Sequence, residues 1–411
     1  MNDPIKTDVL ILGAGIGGYE TFRSLSGLMK RKRVKKKITI VDKNNYFTFI
    51  PMLHEVAAGS IEPTHCAVPL RELVHETTHE FIKSEVRQID PDSKIVETGR
   101  GPIAYDYCVV ALGSGTNYFN IPGAAKYSHH VRDLNAAMAL HNKVISLLED
   151  PSAKKVDIVV AGGGYTGVEI AGQFYDLSYK DARLLYPHIR INISIIESRE
   201  LLLKFMPDKV RKKITQRFKN QGINIYLNSK VKEVYKDRVL LEDGKQIPSD
   251  ITIWTTGFEN IASRFLPELY VENGRIPVLK SLNHAKADSL YAVGDIMFRK
   301  NPQSDIPYPQ LAEAAHKEGE YVARHIAARL SGEKFTKPFI FKAKGTLMPI
   351  GDWYGVMVVG PFVLFGRLAW WIRRTVYLLF MPGLIRKIKI ALDWTLHSFG
   401  FRYIIEMNPK K

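Results

Sequence analysis

The stretch VVAGGGYTGVEIAG, residues 159–172, places Gly162, Gly164 and Gly167 at the end of an apolar run, with an acid, Glu169, two residues past the last glycine. The chain has already used the same arrangement in VLILGAGIGG at 9–18, with Gly13, Gly15 and Gly18. A turn of this kind between strand and helix suits a diphosphate. The first glycine permits the tight turn, the second lets backbone approach the phosphates, and the third lets helix and strand pack closely. The phosphates then rest on amide N–H groups at the positive helix end. Each turn is answered by an acid at the tip of the next strand, Asp42 after KITIV and Glu197 after INISII. A carboxylate there bonds a ribose diol and repels a 2′-phosphate. Both spacings exceed the usual ~20 residues, the first by what reads as a lysine-rich insertion. Glu197 favours NADH over NADPH, against which Arg199 stands near enough in sequence to meet a phosphate. One such turn could be close packing with no ligand. Finding the full strand–turn–helix–acid context twice points to two bound dinucleotides.

Two dinucleotides in one chain suggest a flavin and a nicotinamide, with hydride passing from NADH to the flavin and electrons moving on from there. The N-terminal turn is rejoined late by YAVGD, whose Asp295 either holds a ribityl or phosphate oxygen of FAD or caps a helix. The second turn, with Glu197, is then the NADH site. Glu169 has two readings. Buried near apolar rings, its pKa rises and it can deliver a proton; alternatively it is a first-turn acid favoured by the helix dipole.

The elements that position these residues alternate. TDVLIL is a strand, followed by a helix to about Leu28 and the strand ending at Asp42; YDYCVVALGSGT, 105–116, runs from strand into turn, and 133–149 is an amphipathic helix. The pattern restarts with VDIVVA, a helix, INISIIE, a helix at 207–221, two short strands and DITIWTTG; DSLYAVGD and a helix from about Gln310 to Leu330 close it. This predicts an α/β fold of two Rossmann-like dinucleotide-binding domains, one inserted in the other. The expected boundaries are 1–116 with 271–335 for FAD and 117–270 for NADH, leaving a C-terminal membrane-associating α segment, 336–411.

The chain has 411 residues, a net charge of +16 and two cysteines, Cys66 and Cys108. Two cysteines make no disulfide framework, so a reducing compartment is the default. The start MNDPIKTD carries no apolar signal region, so secretion is not expected. Part of the charge lies in KRKRVKKK at 30–37, either a solvated loop or an attraction to anionic surfaces. The last 46 residues hold nine Lys/Arg against two acids and are rich in Trp, Phe, Leu and Ile, which favours a lipid surface over nucleic acid. Residues 353–372 carry one charge, Arg367, but Gly355, Gly360 and Pro361 interrupt them. A membrane span needs ~20 clean apolar residues, so a strand or turn followed by a helix is expected. Beyond Pro382-Gly383, Arg386, Lys389, Asp393 and His397 share one helical face, and Ile385, Ile388, Leu392, Leu396 and Phe399 another. With Trp370, Trp371 and Trp394 read as exposed, this is an amphipathic helix lying in the membrane interface. No nucleic-acid partner and no metal site are expected.

In this order, LGAGIGG, ALGS, GGGYTGVEIAG, WTTG, AVGD and AEAAHKEGEYVA resemble the two-dinucleotide flavoprotein reductases. FTFIPMLHEVAAGSIEP and the tail GRLAWWIRRTVYL…ALDW narrow the resemblance to the type II NADH dehydrogenases, single-chain NADH:quinone oxidoreductases. It covers nearly the whole chain. It implies tightly but non-covalently held FAD on the first turn. Asp42 and Lys43 would lie near the ribose, Val86 near the adenine, Ala111 to Gly113 close to the flavin nucleotide, and Asp295 on the ribityl side, with Ala312 opening the late helix. It implies NADH on the second turn with Glu197 and the Gly257 of WTTG. The implied acceptor is a membrane quinone entering between the 310–320 helix and the helix around Trp370. Peripheral attachment to the cytoplasmic face of the inner membrane follows, and a homodimer is allowed. Glu169, Glu313 and Lys317 are the catalytic candidates. The family usually carries glutamines where Glu313 and Lys317 stand; a glutamine amide donates to a quinone carbonyl and an ionised Glu cannot. The two either pair along the helix or replace the amides at the quinone. His316 is expected to be packing or surface. Disulfide reductases of this architecture need a close cysteine pair beside the flavin, and FTFIPMLHEV has none; Cys108, in an apolar strand, reads as inert core. Electrons should therefore leave the flavin directly, with no proton-pumping path. Two readings stand beside this one: a soluble NAD(P)H-dependent reductase for a protein carrier such as a ferredoxin, and a flavin-bound scaffold using the 30–37 run.

Overall fold

The computed structural model describes residues 3–302, 305–381, 383–397, 400 and 402–406, the side chains of 396 and 397 excepted, and all counts below refer to these. The expectations for Pro382, Phe399 and the side chains of Leu396 and His397 lie outside them.

Two compact units form. The first comprises the residues up to 49, 67–115 and 258–343. Its strand Ile5–Leu12 has Val9, Leu10, Ile11 and Leu12 wholly buried, as in a parallel sheet covered on both faces. It runs between Gly101–Val110 and Ile38–Asp42, parallel to both; Glu80–Lys83 and Ala287–Ala292 extend the sheet on either side. Helix Ile16–Lys32 packs on helix Ala312–Leu330 so closely that a Cβ on Gly319 would stand 2.6 Å from the Gly17 carbonyl oxygen. The first helix reaches beyond Leu28 because Lys30, Arg31 and Lys32 complement the negative end of its dipole. The lysine-rich run is not a free patch: Lys32 pairs with Glu333, Lys36 with Asp8 at 2.6 Å and Lys37 with Glu80 at 2.7 Å.

The second unit comprises 50–66, 116–257 and the residues from 344 on. Its parallel sheet is ordered Ser128–His129, Ile251–Trp254, Lys155–Ala161, Arg190–Ile196 and Asn224–Tyr226. Helix Tyr165–Asp176 follows the central strand and continues into a π-helical turn, Leu177–Ala182. The boundary thus falls at Gly257 rather than 270, and 50–66 and the tail group with this sheet through the buried charges described below. Segment 50–66 contributes the short helix Leu53–Ala57.

The tail is a three-stranded antiparallel sheet, Thr346–Pro349, Gly355–Val359 and Phe362–Gly366, then helices Arg367–Phe380 and Leu384–His397. Among the described residues no helix is long and apolar enough to cross a membrane. The tryptophan expectation needs correction. Trp370 and Trp394 are 2% and 4% exposed, and only Trp371, at 41%, faces outward. Trp370 stacks on Trp353 with ring centroids 4.8 Å apart, so this aromatic area serves packing. The last helix has two apolar edges. Ile390 and Trp394 are buried, whereas Ile385, Ile388 and Leu392 are exposed at i, i+3 and i+7.

Two glycines test the packing. A Cβ on Gly172, in the Tyr165–Asp176 helix, would meet the Gly351 nitrogen at 2.7 Å, whereas one on Gly27, in an exposed helix interior, meets nothing within 4 Å. Gly172→Ala should cost about 1–3 kcal/mol by overpacking, and Gly27→Ala should add about 0.5–1 kcal/mol. Urea unfolding curves of the two variants check both signs.

Candidate active site

Each glycine turn has the geometry of a phosphate cradle. In the first unit Gly13 has φ +90, a Cβ on Gly18 would stand 1.9 Å from the Gly13 carbonyl oxygen, and one on Gly15 meets nothing within 4 Å. In the second, Gly162 has φ +116, a Cβ on Gly167 stands 1.9 Å from the Gly162 oxygen, and Gly164 is open. The outer glycines are thus required by the turn and the middle one faces the space a diphosphate needs. The strand-tip acids brace these turns. Asp42 accepts the Ala14 N–H at 2.7 Å, and Glu197 accepts the Gly163 N–H at 2.8 Å and the Arg199 N–H at 3.0 Å. The Arg199 guanidinium lies over the Phe205 ring.

Other nucleotide candidates fall around these cradles. Ala111 packs under the first turn, 3.2 Å from a Cβ on Gly18, and Gly113 (φ +73) is open. Lys43 and Ala312 are exposed and Val86 is half-buried. Asp295 is N-cap neither of its 3-10 turn nor of the Ala312–Leu330 helix; its carboxylate accepts the Ser114 hydroxyl at 2.6 Å. Gly257, with φ +76, carries a Cβ position 2.5 Å from the Phe119 ring.

In the second unit Glu169 sits beyond the first turn of its helix, so the dipole reading does not apply. Its side chain is 16% exposed and its Oε2 lies 3.9 Å from Nδ1 of buried His54. Next to His54, the fully buried Glu55 accepts from Arg373 Nη1 at 2.6 Å and lies 3.5 Å from Arg374 Nη2. Arg373 also reaches the Pro51 carbonyl, at 3.3 Å, and lies over the Tyr377 ring; Arg374 lies between the Trp370 and Trp394 rings. Against the cost of burial, the two guanidiniums hold Glu55 below the usual carboxylate range. Burial and Arg373 push His54 down to about 3, so it is neutral. Burial, opposed by Arg373 and reinforced by Glu55, pushes Glu169 up to about 8. At neutral pH this pocket holds a protonated acid beside an uncharged imidazole.

A second buried cation anchors the same elements. Arg402 Nη1 donates to the Ala58 carbonyl at 3.0 Å and to Gln173 Oε1 at 3.1 Å, and Nη2 donates to Asp352 Oδ2 at 2.8 Å. Ser60 donates to the same Gln173 oxygen at 3.0 Å. Gln173 is one helical turn after Glu169, and Ala58 follows the His54 helix directly, so Arg402 ties both to the tail.

In the first unit the late helix carries Glu313, half-buried, and Lys317, which donates to Glu320 at 2.7 Å. His316 is an ion-pair bridge, its Nδ1 3.2 Å from Glu20 and its Nε2 3.7 Å from Glu320. Glu318 accepts the Gly294 N–H at 2.6 Å, and burial pushes it up to about 8.

Sequence reasoning missed His54, Glu55, Arg373, Arg374, Arg402 and Glu318. A signal existed for four of them: HE in FTFIPMLHEV and RR in AWWIRRTVY are opposite charges set in apolar surroundings, where charges must be paired.

The family described as pyridine nucleotide-disulphide oxidoreductase matches residues 7–319. The chain is 28% identical to a probable NADH dehydrogenase of Dictyostelium discoideum, over 94% of this chain and 88% of that one. It is 26% identical to a type II NADH:quinone oxidoreductase of Mycobacterium tuberculosis, over 97% and 89%. Its fold matches the structure of NDH2 from Plasmodium falciparum in complex with NADH, with TM-score 0.87, 22% identity and coverage of 97% and 99%. It also matches the sulfide:quinone oxidoreductase of Aquifex aeolicus, with TM-score 0.75, 21% identity and coverage of 91% and 90%.

The raised Glu169 pKa has a stability consequence. The folded state keeps the proton up to about 8, whereas the unfolded chain releases it above 4.5. Native stability is therefore lost as pH rises through that window and levels off above it. Glu169→Gln removes the effect, so the melting temperature of the variant should gain on the parent across this range. A gap that does not widen with pH would place a charged Glu169 in the native protein.

Proposed function

Because this chain belongs to the pyridine nucleotide-disulphide oxidoreductase family, we propose that it is a non-proton-pumping NADH:quinone oxidoreductase. NADH, a proton and a membrane quinone yield NAD⁺ and the quinol. The observation that carries this reading is the largely enclosed Glu169 carboxyl 3.9 Å from buried His54, in the unit whose second glycine turn has Glu197 at its tip; burial raises the acid's pKa to about 8. FAD fits the first cradle, where the open Gly15, the Asp42 carboxylate and the open Gly113 meet the needs of a diphosphate, a ribose and a flavin nucleotide. Lys43, Val86, Ala111, Asp295 and Ala312 complete that site. Bound there, FAD supplies the acceptor for the hydride and the donor of two electrons.

The chain's own residues do the rest. Gly162, Gly164, Gly167, Glu197 and Gly257 bind NADH. Glu169 holds a proton at its carboxyl and gives it to the reduced quinone; a general acid with a pKa near the working pH is suited to this. Neutral His54 presents no competing charge, and the Arg373–Glu55 pair fixes it in place. Glu313 and Lys317, on the late helix of the first unit, stand where the family usually carries glutamines; beyond its bond to Glu320, the Lys317 ammonium keeps donors of the kind a glutamine amide supplies. Cys66 and Cys108 are free and buried, and burial raises both thiols, so neither is a relay.

The tail supports attachment to the cytoplasmic face of the membrane. Leu384, Ile385, Ile388 and Leu392 are between 51% and 74% exposed on one helix, and Leu368, Trp371 and Leu379 are exposed on the helix before it. An apolar stripe on basic helices suits the lipid interface.

Two outcomes test this. In anaerobic stopped-flow, Glu169→Gln should retain FAD, reduce normally with NADH, and reoxidise with quinone about 10²–10⁴-fold more slowly; equal rates in both half-reactions would return Glu169 to a structural role. The combined change Ile385→Asp, Ile388→Asp and Leu392→Asp should abolish liposome flotation yet spare reduction of a short-chain soluble quinone. Undiminished flotation would mean that the protein reaches lipid through another surface and would overturn the role of this stripe.

A further inference from the structure

Behind the Glu169 helix, the second unit holds a cavity of about 590 Å³ that neither dinucleotide nor quinone uses in the scheme above. Its floor is acidic. The buried Asp176 accepts the Asp352 N–H at 2.5 Å, and Arg402 holds Asp352 from behind at 2.8 Å. Arg217 and Arg367 line it too, with Lys180, whose Nζ lies 3.6 Å from Asp352 Oδ2. Two polar atoms among its lining side chains are buried without a hydrogen-bond partner, the Gln221 oxygen, which asks for a donor, and Arg217 Nε, which asks for an acceptor.

Aromatic rings line it or stand beside it, and several of their faces already carry a partner. Tyr175 and Tyr179 stack on each other at 5.7 Å, with Arg183 over Tyr179; Trp353 carries Trp370 at 4.8 Å and Arg367 at 6.0 Å; Arg217 lies 4.0 Å over Tyr354. The rings hold two guanidiniums in place with their N–H edges available. A ligand complementary to this arrangement carries a compact N–H donor at one end, for the Asp176 carboxylate and Gln221, and an anion at the other, for the three cations.

We propose that this cavity binds the phosphoethanolamine headgroup of a membrane lipid, ammonium on Asp176 and Gln221, phosphodiester on Lys180, Arg217 and Arg367. A quaternary ammonium lacks the N–H donors, and an uncharged headgroup leaves the acidic floor unmatched. The source is lipid because Arg367 is followed at once by exposed Leu368 and, one turn on, by Trp371, so the rim continues into the surface assigned above to the membrane. The proposal rests on that membrane reading. Burial and Asp352 push Asp176 up to about 6, which leaves its ionised form prevailing at pH 7.

The test uses FAD-loaded full-length protein and dihexanoyl lipids below their aggregation concentration, followed by titration calorimetry. The ethanolamine lipid should bind saturably and at least roughly tenfold more tightly than the choline and glycerol lipids or inorganic phosphate. Lys180→Gln with Arg367→Gln, both at exposed positions, should weaken it by about tenfold or more, and Arg217→Gln likewise. Equal affinity for all headgroups, binding matched by phosphate alone, indifference to these substitutions, or no saturation would each overturn the proposal. Because the lipid is monomeric, this outcome is independent of vesicle flotation; a protein that binds the headgroup but ignores vesicles would refute only the apolar stripe.

Discussion

Everything around the candidate site depends on one buried carboxylate, Glu55, held by two arginines from a helix more than 300 residues later. Burying an ion is costly unless it is paired. Stripping one partner from such a pair typically costs about 3–5 kcal/mol, although the pair is weak evidence for net stability. Its effect here is on register. Apolar packing alone would tolerate sliding of helix Arg367–Phe380 by a turn, but only one alignment puts Arg373 and Arg374 on Glu55. The tail is therefore docked in one position, and Arg402 repeats the device by gripping Ala58, Gln173 and Asp352.

Burial sets the electrostatics of the pocket, and the pair adjusts them. At His54, Arg373 reinforces burial and the imidazole stays neutral. At Glu169, burial raises the pKa, Arg373 opposes it and Glu55 adds to it, and the balance favours the protonated acid. The two neighbours of a fixed ion pair thus carry no charge at neutral pH. Such arrangements mark sites where protons are handled, and here the pocket lies in the unit that carries the Glu197-tipped cradle.

The glycine cradles and their acids were legible because their logic is local. Strand, turn and helix are consecutive, the outer glycines are demanded by backbone contact, and Asp42 and Glu197 each end the strand beside their turn. The α/β alternation was legible for the same reason, through runs such as VLIL and DIVV that match strands buried on both faces. What failed was long-range. Nothing in the spacing of WWIRRTVY says that Trp370 is buried against Trp353, or that its arginines seek residue 55. Lys317 pairs with Glu320 at i+3, a choice between neighbours on one helix face that the sequence leaves open. Glu318 was overlooked because its partner is a backbone amide, and a backbone amide leaves no mark in composition.

The helix Arg367–Phe380 joins these strands of argument. Its inward side carries Ala369, Trp370, Arg373 and Arg374, all buried; its outward side carries Leu368, Trp371, Thr375 and Leu379, all exposed. Three of the tail's cations, Arg373, Arg374 and Arg402, are consumed by internal acids, so the exposed surface of the tail is more apolar than its composition suggests. The ion pair that fixes His54 beside Glu169 also fixes which residues of this helix face out. A shift of the helix by one residue would turn the stripe by about 100° and withdraw the arginines from Glu55 together, so the pocket around Glu169 and the exposed apolar stripe are set by a single packing choice.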